Sequence, residues 1–125
     1  MKINFADERP IFVQVAEGIE DGILAGAYPE GKQVPSTTEI SVTYKINPAT
    51  ALKGITRLAE EGILYKQRGL GMFVSEGAVE RVKQKRKIAF FDQTITRLTR
   101  EAKRLGLTLA ETVELIERSY DLESD

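Results

Sequence analysis

Residues 35–74 read PSTTEISVTYKINPATALKGITRLAEEGILYKQRGLGMFV. Two short helical patterns stand almost end to end, and a glycine-punctuated extended pair follows at once. The second helix has the cleaner start. Asn47 can cap it through its side chain, and Pro48 suits the first helical position. Ala51, Ile55 and Leu58, with Leu52 beside them, recur at helical spacing and so bury one face. Ala49, Thr50, Lys53, Thr56 and Arg57 fall mostly off that face. Gly62 after Glu61 ends the helix, because glycine takes the left-handed conformation there without steric cost. Ile63, Tyr65, Phe73 and Val74 then flank Gln67, Arg68, Gly69, Leu70 and Gly71, a short hairpin with a basic, glycine-rich tip. Helix, tight turn, helix, small ribbon is the order of a winged helix-turn-helix, an architecture that reads DNA. The expected fold class is mainly α with a small β-ribbon, followed by a C-terminal α-helical hairpin.

Upstream, alternation over residues 2–5 predicts a small strand, with Phe5 or Ile3 covering the core. Pro10 then opens a helix whose stripe is Ile11, Val15, Ile19 and Ile23, widened by Phe12 and Leu24. Ser36 caps the next helix, and Glu39 completes a capping box. Ile40 and Tyr44 share its inner face, and Ile46 plugs the space between the two helices. Downstream, Ile88, Phe91, Ile95, Leu98, Ala102 and Leu105 form a coiled-coil-like stripe on a helix of roughly 25 residues, which Gly106 stops. Thr108 and Glu111 make a second capping box for a last helix, with Leu109, Val113, Ile116 and Tyr120 as its stripe. Phe90, Phe91 and Tyr120 read as core at this spacing rather than as the lining of a small-molecule pocket. The expected division is a DNA-binding domain over residues 1–75 and a helical dimerisation region over 76–125. So thin a hairpin cannot enclose its own apolar face. It must pack on the first domain, on a second copy or on both. A two-fold dimer through Ile88, Phe91, Ile95, Leu98, Ala102, Leu105, Val113 and Ile116 is the expected solution, with a fold-back onto the winged domain as the alternative.

Composition narrows the function. There are no cysteines and no histidines, which removes disulfides, thiol chemistry, histidine catalysis and Cys/His zinc sites. No apolar run reaches the roughly 18 residues of a membrane span. No secretory signal opens the chain, which favours the cytoplasm. Asp7 with Glu8, Glu20 with Asp21, and Glu60 with Glu61 are carboxylate pairs in sequence only, and neighbours on a helix do not face one another. Gly69, Leu70 and Gly71 lack the helix entry and following Lys of a phosphate loop. No enzyme, cofactor or metal is expected. Net charge is −1, yet Lys45, Lys53, Arg57, Lys66 and Arg68 face only Glu60 and Glu61 in residues 40–75. Binding follows the local field, so a basic footprint fits double-stranded DNA on a neutral chain. Arg81, Lys83, Lys85, Arg86 and Lys87 form a further cluster, either reaching phosphate near the wing or standing as the solvated start of the long helix.

Pro10, Ile11, Phe12, Gln14, Ile19, Ile23, Gly26, Gly31, Val34, Pro35, Ser36, Ile46, Asn47, Thr50, Leu58, Glu61, Gly62, Ile63 and the run from Arg68 to Val74 together carry a resemblance. In this order and spacing they resemble the amino-terminal domain of GntR-family bacterial transcription regulators. Asn47, Pro48 and the short carboxyl part look most like the YtrA branch, whose members are often encoded beside transporter genes. The resemblance implies a sequence-specific DNA-binding regulator, a dimeric repressor on a palindromic operator, with Arg68 following the minor groove. On the recognition helix, Ala49, Thr50 and Lys53 should face base edges, with Thr56 and Arg57 near phosphate. The full candidate interface is Ser36, Thr38, Lys45, Asn47, Ala49, Thr50, Lys53, Thr56 and Arg57, with Gln67, Arg68, Gly69 and Gly71 on the wing. Gln67 either helps there or points back across the ribbon. Thr38, Lys45, Leu52 and Gly54 depart from the family pattern, and Lys45 stands where a turn glycine is common. A small-molecule effector, a partner protein or no effector all remain open. The alternative from another class is a winged-helix adaptor that binds protein without specific DNA binding.

Overall fold

The computed structural model describes residues 1–124 and divides into two compact units, Met1–Lys85 and Arg86–Asp125. In the first unit, α1 spans Ile11–Leu24, α2 Thr37–Tyr44 and α3 Pro48–Glu60. The antiparallel strands β1 (Leu64–Gln67) and β2 (Gly71–Val74) follow, and α4 (Ala78–Ala89) begins within this unit.

Local chemistry sets the helix ends. The Ser36 hydroxyl accepts the Glu39 N–H at 3.0 Å, and the Glu39 carboxylate accepts the Ser36 N–H at 3.1 Å. Asn47 Oδ1 accepts the Ala49 N–H at 2.8 Å. Gly62 takes φ 74° just past α3 and turns the chain into the ribbon. The helices then pack through one shared core of Val15, Ile19, Ile23, Ile40, Ala51, Ile55 and Leu58, closed by Val34, Ile46, Ile63, Leu64 and Val74. Shortening Leu58 to Ala would cost about 2–5 kcal/mol at such a site. Ala78 and Val82 are fully buried in the same core, so the first unit runs past Ser75, the end expected from the sequence.

The expected strand over residues 2–5 is not formed. The buried Gln14 side chain takes the place of a pairing strand: its Oε1 accepts the Asn4 N–H at 2.8 Å, and its Nε2 donates to the carbonyls of Asn4 and Arg9. Ile3 packs on the core while Phe5 is exposed. The ribbon gains an edge instead. Gly31 donates to Val74 O, Val74 to Lys32 O and Val34 to Met72 O, at 2.8–3.0 Å, so the 31–34 loop lies along β2.

In the second unit, α4 passes into a π-helical turn, Phe90–Ile95, then α5 (Thr96–Arg104) and α6 (Leu109–Leu122). Gly106 (φ 73°) ends α5, and Thr108 with Glu111 caps α6. The π turn falls between Phe91 and Ile95, so the regular stripe is broken in phase there. Ile88, Phe90, Phe91, Leu105 and Tyr120 are exposed, Ile95 and Leu98 half-buried, and Ala102 buried. Phe90, Phe91 and Tyr120 are thus not core within the chain. Leu98, Ala102, Leu105, Leu115 and Ile116 line an open groove of about 440 Å³ between α5 and α6. No helix among the described residues is long and apolar enough to cross a membrane.

Candidate nucleic-acid interface

Helix α3 buries Ala51, Gly54, Ile55 and Leu58 and turns Ala49, Leu52, Lys53 and Thr56 outward, with Thr50 and Arg57 half-buried at the margin. At its amino end Pro48 has no N–H, Asn47 Oδ1 takes that of Ala49, and Thr50 and Ala51 donate to Asn47 O at 3.0 and 3.1 Å. Arg57 stands 3.8 Å from Glu61, an exposed pair of little strength that leaves its guanidinium free to turn. Lys53 behaves differently: its ammonium lies 4.1 Å from the centre of the Phe12 ring on α1. Phe12, Ala49, Leu52, Lys53, Thr56, Arg57 and Glu60 line one shallow cleft on this side.

The turn before α3 is tightened by Lys45, the one non-glycine at positive φ among the described residues (φ 55°, ψ 50°). This accounts for the glycine common at that place. The Ser41 hydroxyl donates to Ile46 O at 2.7 Å and braces the same turn. Ser36 spends its oxygen on the cap but keeps a hydroxyl proton to donate outward, and Thr38 stands exposed in the first turn of α2.

On the wing, Tyr65 and Phe73 are directly opposed and stack with ring centres 5.9 Å apart, which stiffens the ribbon. Arg68 is exposed at the tip beside Gly69 (φ 81°), where a side chain would meet only open space. Gln67 donates to the Tyr65 hydroxyl at 3.2 Å and so lies back along its own strand. Gly71 (φ 124°) faces inward: a Cβ would fall 2.6 Å from Gln33 Nε2, which donates to Leu70 O. Gly71 thus serves the wing's internal closure.

The basic cluster at 81–87 fits neither expectation whole. Arg81 donates to Gly62 O at 2.9 Å. Lys85 bonds Glu20 at 2.7 Å and Glu61 at 3.0 Å, and the Glu20 side chain is only 2% exposed. These two cations fasten the start of α4 within the first unit, while Lys83 and Lys87 are exposed. Glu30 clamps the start of α4, its carboxylate accepting the N–H groups of Gly77 (2.8 Å) and Val79 (3.2 Å). Those two backbone donors hold its carboxyl below the usual carboxylate range. Sequence reading missed Glu30, Gln33, Ser41 and the ring contact of Phe12. Only Ser41, a small polar residue one turn before the loop, left a local signal.

A helix-turn-helix with an outward-facing second helix, followed by a two-stranded ribbon with a basic tip, defines a winged helix-turn-helix protein. The chain belongs to the GntR family: the family model described as "Bacterial regulatory proteins, gntR family" matches residues 12–74. It is therefore a DNA-binding transcriptional regulator rather than an enzyme. It is 29% identical over 116 residues to the HTH-type transcriptional regulator YhcF of Bacillus subtilis, covering 91% of this chain and 93% of YhcF. It is 32% identical over 79 residues to the regulator YurK of the same organism, covering 63% of this chain but only 33% of YurK. Among solved structures, a putative GntR-family regulator from Bacteroides thetaiotaomicron superposes with a TM-score of 0.77 at 29% identity, over 92% of this chain and 99% of that one.

Proposed function

We propose that the chain is a two-fold dimeric repressor of the YtrA-like branch, acting in the cytoplasm on a roughly palindromic operator, with a transporter operon as its target. In this reading α3 enters the major groove amino end first. Ala49, Thr50 and Lys53 meet base edges, Thr56 and Arg57 lie near phosphate, and Arg68 follows the minor groove. The observation that carries it is the outward face of α3 with the exposed Arg68 tip following it in the same unit. The branch reading is supported by Asn47 and Pro48 at the helix opening and by similarity to YhcF over nearly all of both chains.

The dimer is supported by the exposed Ile88, Phe91 and Leu105, with Val113 and Ile116 also accessible, more apolar surface than a solvated hairpin explains. Two joined domains make the second DNA contact intramolecular and set half-site spacing near one helical turn or a multiple. The test is selection of bound fragments from the source genome, followed by Lys53→Ala and Arg68→Ala on the recovered site. Lys53→Ala should weaken operator binding more than random-DNA binding by a factor matching one base contact, about 1–3 kcal/mol. Arg68→Ala should lower the salt slope by about one unit. Recovery of no common sequence would refute the reading.

A further inference from the structure

The sequence makes Phe12 an apolar residue widening a core stripe, and it makes Gly54 a departure from the family pattern in the middle of α3. The structure joins them. A Cβ on Gly54 would fall 2.7 Å from the Phe12 carbonyl oxygen and 2.9 Å from Val15 Cγ1. Only a glycine lets α3 lie this close to α1. The next residue back, Lys53, then arrives with its ammonium 4.1 Å from the centre of the Phe12 ring. Lys53 is exposed and Phe12 half-buried, so the cation above the ring stays open to the outside.

We infer that Phe12 is a positioning residue for base recognition: its ring, brought beside Lys53 by the close approach of α1 and α3 at Gly54, fixes where Lys53 presents its ammonium to the operator. This rests on the reading that Lys53 meets base edges. The chemistry of the support favours the role. A carboxylate at that place would hold the ammonium too, but it would consume N–H donors and cancel the charge that draws Lys53 to DNA. A phenyl ring attracts the cation through its quadrupole and accepts no conventional hydrogen bond. The ammonium therefore keeps its donors for guanine O6 and N7, the acceptors a lysine recognises in the major groove. An unsupported lysine sweeps a wide volume and finds phosphate as readily as a base. Ordering it in advance lowers the entropic cost of the one contact that discriminates sequence.

Two measurements on the full chain test this. In the free protein, the Lys53 side-chain methylene protons nearest the ammonium should be shifted upfield in NMR spectra by the Phe12 ring current. Resonances at ordinary lysine positions would overturn the contact without any variant. Then Phe12→Leu and Phe12→Tyr are compared on the selected operator and on random DNA at one salt concentration. Phe12→Leu should lower the operator-to-random affinity ratio about two- to fivefold, the strength of one exposed cation–π contact. Random-DNA affinity and salt slope should stay unchanged, and Phe12→Tyr should keep the ratio. In a Lys53→Ala background, Phe12→Leu should lower the ratio no further. An unchanged ratio in Phe12→Leu, beside a loss in Lys53→Ala, would overturn the inference alone. The same fall in both backgrounds would make Phe12 a packing residue only and overturn it as well. If Lys53→Ala itself leaves the ratio intact, the base-reading role falls and takes this inference with it.

Discussion

Lys85→Met should show how strongly the start of α4 is held within the winged unit. In the native chain the Lys85 ammonium sits 2.7 Å from a Glu20 oxygen and 3.0 Å from a Glu61 oxygen. Glu20 is the demanding partner, with its side chain 2% exposed, whereas Lys85 is 32% exposed. Removing the cation takes one opposite charge from beside the buried carboxylate. Glu61, which shares the ammonium, then stands within about 6 Å as a second negative charge. Breaking a buried pair from one side costs about 3–5 kcal/mol, and partial exposure of Lys85 puts this case at the low end, near 3 kcal/mol. Urea denaturation followed by circular dichroism should show the midpoint falling by about 1–2 M at unchanged slope. Protein concentration must be fixed, since association would move the midpoint by mass action. Adding Glu20→Gln to Lys85→Met removes the buried negative charge as well and should recover more than half of the loss. Moderate salt should leave the effect largely in place, because a buried group is poorly screened. A Lys85→Met midpoint indistinguishable from wild type would refute the reasoning and reduce the pair to an ordinary surface contact.

Three other outcomes are expected. Lys45→Gly removes a Cβ from a left-handed residue and should raise stability by up to about 1 kcal/mol, once the entropy of glycine is deducted; a lower melting temperature would contradict this. Ile88→Asp with Phe91→Asp changes two side chains that are 65% and 64% exposed in the single chain, so the fold should survive. The variant should sediment as a monomer and lose about a hundredfold or more in operator affinity, and a dimer with full affinity would show that the interface lies elsewhere. Glu30→Gln addresses acid stability. The Glu30 carboxyl is held low by the N–H groups of Gly77 and Val79, so its folded pKa lies below its unfolded one. The stability it brings is complete above the usual carboxylate pKa and is lost as pH falls through the lower value. Thermal melts at decreasing pH should therefore fall less steeply for the variant, and parallel curves would count against the clamp.

What the sequence disclosed and what it withheld divide by range. Both capping boxes, the Asn47 cap, the glycine stops at Gly62 and Gly106 and the hairpin could be read because each is settled within four or five residues by backbone chemistry. The outward face of α3 was legible for the same reason: helical spacing alone separates it from Ala51, Ile55 and Leu58. The fate of the basic run at 81–87 was not. Lys85 is fixed by a carboxylate 65 residues away, and nothing near Lys85 distinguishes it from the exposed Lys83. The N-terminal strand failed because alternation speaks of faces and not of partners, and Gln14 supplied the partner through its side chain. Lys53 was singled out correctly as an outward residue, while its ring support on α1 stayed hidden. That support depends on how closely two helices cross, which Gly54 decides.

The π-helical turn Phe90–Ile95 also bears on which changes of chain length this protein can absorb. A π turn is an α-helix carrying one residue more than its winding requires. Deleting a single residue there lets the segment close into plain α-helix, with the residues before and after keeping their faces. The same deletion inside α5 would turn everything beyond it by about 100°, the angle one residue occupies in an α-helix. Ala102 would leave its buried place, and the groove it shares with Leu115 and Ile116 would lose one wall. The turn is thus a slack point in an otherwise unforgiving rod, and length variation among short regulators of this build should collect at residues 90–95.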